Sequence, residues 1–179
     1  MKRLAWAIAA ATLLLPSVAH AQKVTVDFDP AAQFGKFKTY SWTTGTPSPN
    51  PLGEDRIHAA VEQALGAEGF TKATGTPDIM ISTHVLTKEE KEVISTGYGY
   101  GPGYYRWGGG MGTSTASVQT YVKGTLVLDF YDTSTKKLAW RGVASDTVSD
   151  NPEKNSKKVT NALTKMMKQY PPPPPKTKP

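Results

Sequence analysis

Two long strand-like segments on either side of a short polar turn constrain the fold of this chain more than any other feature. Hydrophobic and polar residues alternate along residues 117–131 and again along 137–148, which is the period of a half-buried β-strand. The sequence between them, DTST, is typical of a tight turn. We therefore predict an antiparallel hairpin with hydrophobic residues on one face of each arm: Val122, Leu126, Leu128 and Phe130 in the first, Leu138 and Trp140 in the second.

The remaining periodic segments predict three more strands and two helices. Strands are expected at residues 24–28, 38–44 and 78–87. Hydrophobic residues at helical spacing indicate helices from Glu54 to Gly69 and from Asn151 towards Tyr170. The order β-β-α-β-β-β-α predicts an α+β fold, a two-layer sandwich in which two helices cover one face of a mainly antiparallel five-stranded sheet.

The beginning of the chain has the pattern of a secretory signal peptide. A basic start, an apolar run too short to span a bilayer and small residues before Gln22 predict residues 1–21 as a leader cleaved after Ala21. A single domain is then expected over 22–170, with a Pro-rich tail at 171–179. The chain has no cysteine, which excludes disulfides and a lipid-anchored N-terminal cysteine. We expect a periplasmic or secreted protein without a transmembrane segment.

Charge and motifs exclude several classes of function. Without Lys2 and Arg3 of the leader, 19 basic and 15 acidic residues leave a net charge of +4, too small to indicate a nucleic-acid partner. The patterns S-x-x-K at Ser134 and S-D-N at Ser149 resemble those of penicillin-recognising enzymes, but Ser134 lies in a turn instead of starting a buried helix. His58, expected on an exposed helix face, and His84, expected within a strand, have no metal-ligand spacing. We predict no catalytic residues, no cofactor and no metal site.

The segment GYGYGPGYYRWGGGMG at residues 97–112 lies between strands that end near Ser95 and begin near Ser117. It lacks both G-x-G-x-x-G and G-K-[ST], so it does not match a phosphate-binding loop. Ordering sixteen backbones costs more than burying five rings returns, so a partner would have to supply the difference. The candidate partner-binding residues are Tyr98, Tyr100, Tyr104, Tyr105, Arg106 and Trp107. The alternative is a solvated hairpin tip without a function.

Several stretches together resemble one bacterial family. They are VTVDFDPAAQFGKFKTYSW at the start of the domain, GTLVLDFYDTSTKKLAWRG in the hairpin, and a last helix that runs into Tyr170-Pro171-Pro172. These stretches resemble the domain of unknown function 4136 family over roughly residues 24–175. Gln33 departs from the acidic residue expected there. The resemblance implies an exported or lipoprotein-like envelope protein with an α+β fold, and it implies no catalytic residues.

Two functions from different classes remain open. The first is a non-enzymatic binding or structural module that contacts a protein or an envelope polymer through the 97–112 segment or a sheet edge. The second is an envelope hydrolase that acts on cell-wall material, which would need Ser134 or Ser149 within hydrogen-bond reach of Lys137 or His84.

Overall fold

The structure, a computed structural model, describes residues 22–96 and 115–173. The predictions made for the leader, for the segment at 97–112 and for the last six residues of the tail therefore lie outside the described residues. Within these ranges the chain forms one six-stranded sheet and two α-helices, with a short 3₁₀ turn at Phe34–Lys36.

The elements follow one another along the chain in a β-β-α-β-β-β-β-α order. Their bounds are β1 Lys23–Phe28, β2 Thr39–Trp42, α1 Pro51–Ala67, β3 Thr71–Lys72, β4 Ile79–Thr96, β5 Thr115–Asp132, β6 Lys137–Thr147 and α2 Pro152–Met167. The strand order in the sheet is β1-β6-β5-β4-β2-β3. Four of the strands form antiparallel pairs (β1–β6, β6–β5 and β5–β4), whereas β2 runs parallel to both β3 and β4.

The predicted α+β fold is confirmed, with two corrections to the sheet. It has six strands instead of five, because β3 is a two-residue strand that directly follows α1 and is too short to show a period. The sequence predicted a mainly antiparallel sheet, and the observed sheet is mixed, because α1 carries the chain from β2 back over the sheet, a connection that joins parallel strands. The predicted hairpin is formed by β5 and β6, with a register shift between Phe130 and Tyr131.

The hydrophobic core lies between the sheet and the two helices. The strands contribute the fully buried side chains of Ile79, Ile81, Leu128, Phe130 and Trp140. The helices contribute those of Val61, Leu65, Leu163 and Met166. Leu138, predicted to share the core face with Trp140, is only half-buried. The other sheet face, here called the open face, is not covered by either helix of the described residues. Successive residues of one strand alternate between the core and the open face.

Both helices begin with the same pair of residues, Asn followed by Pro. The side chain of Asn151 accepts hydrogen bonds from two backbone N–H groups of the first turn of α2, as predicted. In α1 the cap is Asn50, so the helix begins at Pro51, three residues before the predicted Glu54. The prolines around Asn50 led to the prediction of a loop at these residues. A proline at the first position of a helix, however, is favourable for the helix.

Asp78 fixes the parallel pairing of β2 with β4. Its Oδ2 atom accepts hydrogen bonds from the backbone N–H of Lys38 at 3.0 Å and of Thr39 at 2.8 Å, and from the Thr39 hydroxyl at 2.8 Å. These three donors, beginning with the Lys38 N–H, hold the pKa of Asp78 below its ordinary value.

Replacing Asp78 with alanine is expected to destabilise the domain by about 2 kcal/mol at pH 7. Because the folded pKa is lowered, this contribution is complete above the ordinary carboxylate pKa and disappears as the pH falls through the folded value. Urea unfolding of the parent and Asp78→Ala between pH 7 and pH 3 measures it. Asp78→Asn, which keeps an acceptor without the charge, is the control. A stability difference independent of pH would show that the carboxylate charge does not lock β2.

The end of the domain packs against the core through Tyr170. Its ring lies 5.5–6.0 Å from the rings of Phe34, Phe70, Phe130 and Trp140, and burial raises its pKa. Pro172 is also buried, although the sequence predicted a solvated tail from Pro171. A proline next to a packed aromatic residue can remain in the core, which composition alone does not show.

Candidate functional site

The six predicted partner-binding residues, between Tyr98 and Trp107, all lie outside the described residues. The structure does describe the two strands that carry this segment. β4 continues to Thr96 and β5 begins at Thr115, which confirms the predicted strands on either side.

The serines that resembled catalytic motifs have local structural partners. The hydroxyl of Ser134 donates to Asp132 Oδ1 at 2.6 Å within the β5–β6 turn. The hydroxyl of Ser149 accepts from the backbone N–H of Asn151 at 3.2 Å, just before α2. Both arrangements are those of turns and caps.

His58, the first of the two histidines in the described part of the chain, lies on α1 and is half-buried. Its Nε2 atom lies 2.9 Å from Glu54 Oε1, and its ring lies 4.1 Å from the ring of Trp42. The sequence predicted an exposed helix face at this position, whereas the ring covers Trp42. Its contacts are those of a residue that packs α1 against β2.

The second histidine, His84, belongs to a polar cluster on the open face that sequence reasoning missed. At its centre is Asp129, whose side chain is 0% exposed. Arg141 donates to both carboxylate oxygens, from Nε at 2.7 Å and from Nη2 at 2.6 Å. The Tyr131 hydroxyl and His84 Nε2 lie 3.3 and 3.6 Å from Asp129 Oδ2. The hydrogen bonds to Asp129 raise the pKa of Arg141.

The cluster does not have the geometry of a nucleophile and its base. In a catalytic triad the acid and the nucleophile contact different nitrogens of the histidine. Here Ser82 Oγ and Asp129 Oδ2 both lie near His84 Nε2, at 3.3 and 3.6 Å, while Thr46 Oγ1 lies 3.0 Å from Nδ1. The bidentate contact with Arg141 also holds the Asp129 carboxylate. We interpret the cluster as a structural connection between β4, β5 and β6.

The other notable feature is the end of the β4–β5 hairpin, which extends beyond the rest of the sheet. On the β6 side, the last backbone hydrogen bond to β5 is donated by the N–H of Val148 to the carbonyl of Val122, at 2.7 Å. On the β2 side, the segment that follows β2 forms backbone hydrogen bonds with β4 only as far as Val85. Beyond these points, residues 90–96 pair only with residues 115–121 in the described part of the chain. We call these two seven-residue arms the projecting ribbon.

The two outer edges of the projecting ribbon differ in charge. The β4 arm contains Glu90, Lys91 and Glu92, and charged side chains protect an edge strand from pairing. The β5 arm, TASVQTY, contains no charged residue and is rich in residues that favour strands. Val93 and Val118 are directly opposite each other and are 64% and 61% exposed. The β5 arm is therefore an open, uncharged edge beside an exposed hydrophobic pair.

The base of the projecting ribbon is fixed on the open face. The Tyr121 hydroxyl donates to Glu90 Oε2 at 3.0 Å, and Lys123 Nζ lies 3.6 Å from Glu90 Oε1. The hydrogen bond from Tyr121 lowers the pKa of Glu90, so the carboxylate stays charged at neutral pH. These contacts set the register of the two arms where they leave the sheet.

The described residues form neither a metal-binding group nor a membrane-spanning helix. Within residues 22–96 and 115–173, no group of three or more histidine, aspartate or glutamate side chains is placed to hold a metal ion. Neither helix in the same ranges is long and apolar enough to cross a membrane.

The family is decided by a direct match. The sequence model of the family described as "Domain of unknown function (DUF4136)" matches residues 24–172, which is most of the chain. The chain belongs to the DUF4136 family. This confirms the resemblance drawn from the strand, hairpin and last-helix motifs. No curated protein matches the chain.

Solved structures are similar to this DUF4136 chain in fold. One is a PDZ domain protein from Parabacteroides distasonis, with a TM-score of 0.52 and 20% identity, covering 85% of this chain and 35% of that one. This chain thus spans about a third of that protein's length. The PelC dodecamer from Paraburkholderia phytofirmans matches in two crystal forms. The TM-scores are 0.47 and 0.49, the identities 14% and 13%, and the coverage 82% of this chain and 97% or 96% of PelC. At 20% identity, the likeness to the PDZ domain protein concerns the fold alone.

Proposed function

We propose that this protein is an exported, non-enzymatic binding module of the cell envelope that takes up an extended segment of a partner protein along the β5 edge of the projecting ribbon. The observation that supports the proposal is the uncharged edge of residues 115–121, which has no neighbouring strand in the described part of the chain. Export is inferred from the leader pattern of residues 1–21 and its cleavage after Ala21.

The backbone of the β5 arm offers hydrogen bonds to such a segment at alternate residues. The carbonyl of Val122 points towards the β6 side, where it accepts from Val148. In an antiparallel strand, residues two apart direct their N–H and C=O groups to the same side. Ala116, Val118 and Thr120 therefore direct these groups away from β4. An added strand would satisfy them, as in β-augmentation.

The hydrophobic pair next to this edge explains why a bound segment would stabilise the projecting ribbon. A two-stranded hairpin by itself is marginally stable in water. A third strand would add a second ladder of backbone hydrogen bonds and cover part of Val93 and Val118, which are exposed in the free chain. The partner is therefore expected to present an extended segment with hydrophobic residues at alternate positions.

A pair of proline substitutions tests this edge. Val118→Pro removes an N–H from the β5 edge, and Lys91→Pro removes one from the β4 edge, because Lys91 is opposite Thr120 and so also directs its N–H outwards. Neither substitution removes a bond between the two arms. With a photo-crosslinking residue at Thr120 in producing cells, Val118→Pro should reduce the partner adduct about tenfold, as expected for a loss of ~1.4 kcal/mol.

Lys91→Pro is expected to leave the adduct within about twofold of the parent, since its edge is not used. Equal melting temperatures of the two variants show that both keep the fold, and a crosslinker at exposed Thr160 on α2 gives the background. Equal losses in both variants, or no adduct above the Thr160 background, would contradict the proposal. Replacing the aromatic residues of the 97–112 segment in addition tests whether the residues from Tyr98 to Trp107 contribute to the same contact.

A further inference from the structure

A separate pocket lies between the sheet and the N-terminal halves of the two helices. Its volume is about 440 Å³, within the range of roughly 300–1,000 Å³ found for small-molecule sites. The sheet contributes Val85, Val122, Leu126 and Ala144 to its lining, and the helices contribute Ile57, Val159 and Ala162. Polar residues of the pocket, such as Ser48, Arg56 and Asn155, come from the segments where the helices begin.

Although polar residues also line this pocket, most of its accessible surface is apolar and aliphatic. None of the described aromatic residues belongs to it. The rings that pack on one another, including Phe130, Trp140 and Tyr170, lie elsewhere in the core. A cavity with aliphatic walls excludes water and accepts apolar groups of matching shape. The interior therefore favours a flexible aliphatic group over a sugar or a peptide, which would leave polar atoms unpaired.

One polar atom at the pocket has no partner among the described residues. Gln22 lines the pocket, and its Nε2 atom donates to the backbone carbonyl of Lys158 at 2.8 Å. Its Oε1 atom is buried and accepts no hydrogen bond from residues 23–96 or 115–173. An unpaired buried acceptor is costly, so a ligand with a hydroxyl or amide N–H donor at this point would be stabilised.

The side-chain charges around the pocket do not select a charged head group. Lys158 Nζ is already paired with Asp146 Oδ1 at 2.9 Å, and Arg56 and Asp150 contribute opposite charges to the lining. The first-turn N–H groups of α2 are capped by Asn151. A neutral head group with a donor is thus the better match.

We propose that this pocket binds a single aliphatic chain with a neutral, hydroxylated or amide head group, such as that of a monoacylglycerol. The chain lies between α1, α2 and the sheet, and the head group donates a hydrogen bond to Gln22 Oε1. This site is distinct from the β5 edge of the projecting ribbon and does not require it.

Binding of monolauroylglycerol below its critical micelle concentration, measured by calorimetry and by methyl NMR, tests the site. We expect one molecule per chain, weaker binding of dodecanoate, and shifts at the methyl groups of Ile57, Leu126 and Val159 but not at those of Leu128. Val159→Phe fills the pocket from α2 and should weaken binding at least tenfold. Ala59→Phe, on the exposed face of α1, is the matched control and should bind as the parent does.

Val122→Phe fills the same pocket from the sheet and replaces Val159→Phe if that variant does not fold. The proposal is overturned if the parent binds neither probe, or if a folded pocket-filling variant binds as tightly as Ala59→Phe. Dodecanoate that binds as tightly as monolauroylglycerol would overturn the role of Gln22 in selecting the head group.

Discussion

Replacing Trp140 with alanine is expected to destabilise the domain by about 3–5 kcal/mol. The side chain is 0% exposed, and its ring packs against Phe130 at 4.7 Å between centroids and against Tyr170 at 6.0 Å. A Cβ atom on Gly142 would lie 2.7 Å from the Trp140 ring and 2.8 Å from Met166 Sδ, so the neighbours already fill the space around it. The cavity left by alanine could collapse only by moving the sheet or α2.

Urea unfolding of the parent and of Trp140→Ala measures this loss. Trp42→Ala is the matched control, because Trp42 is half-buried and packs on His58 at the side of the helical layer. Its loss is expected to be clearly smaller. Equal losses for the two tryptophans, or a Trp140→Ala value within experimental error of the parent, would mean that Trp140 does not lie at the centre of the core.

The second large effect is expected at Arg141. Replacing it with methionine leaves the carboxylate of Asp129 buried without its two charge-assisted bonds, which should cost about 3 kcal/mol. Replacing both residues with apolar ones, as in Asp129→Leu with Arg141→Met, removes the uncompensated charge. The double variant should therefore be more stable than Arg141→Met alone.

A double-mutant cycle by urea unfolding at pH 7 gives the coupling between Asp129 and Arg141. Arg141→Lys is an informative control, because an ammonium keeps the charge but cannot make the bidentate contact. It should fall between the parent and Arg141→Met. Additive effects of the two single substitutions would show that the pair does not join β5 to β6.

Local patterns predicted most of the elements, but not how the strands are ordered. The hairpin of β5 and β6 was predicted from the alternation of residues, and the start of α2 from its Asn-Pro pair. Both signals were sufficient for these predictions because each depends on near neighbours in sequence. The pairing of β1 with β6 joins Lys23 to Ser145, and no local period contains that information. The two-residue β3 and the start of α1 at Pro51 were missed because a short strand and a proline give weak or ambiguous signals.

The candidate sites were predictable only in part. The strands that flank residues 97–112 were expected, but their extension beyond β6 and β2 depends on where those other strands end. His84, Asp129 and Arg141 come from three different strands, so their contact could not be inferred from spacing. Asp129 did give one signal, as a charged residue between the hydrophobic Leu128 and Phe130. The pocket is lined by residues from the sheet and from both helices, so its lining could not be inferred from spacing along the sequence.

Hydrogen exchange along the β5 arm, before and after binding of the partner segment identified through the Thr120 crosslink, is the most direct test of the proposed function. Amide protons of Ala116, Val118 and Thr120 should exchange quickly in the free protein, because they face away from β4. We expect at least tenfold slower exchange at these three residues in the complex, with no change at Lys91 and Val93. Unchanged exchange at the three residues, or protection confined to the β4 arm, would contradict binding along the β5 edge.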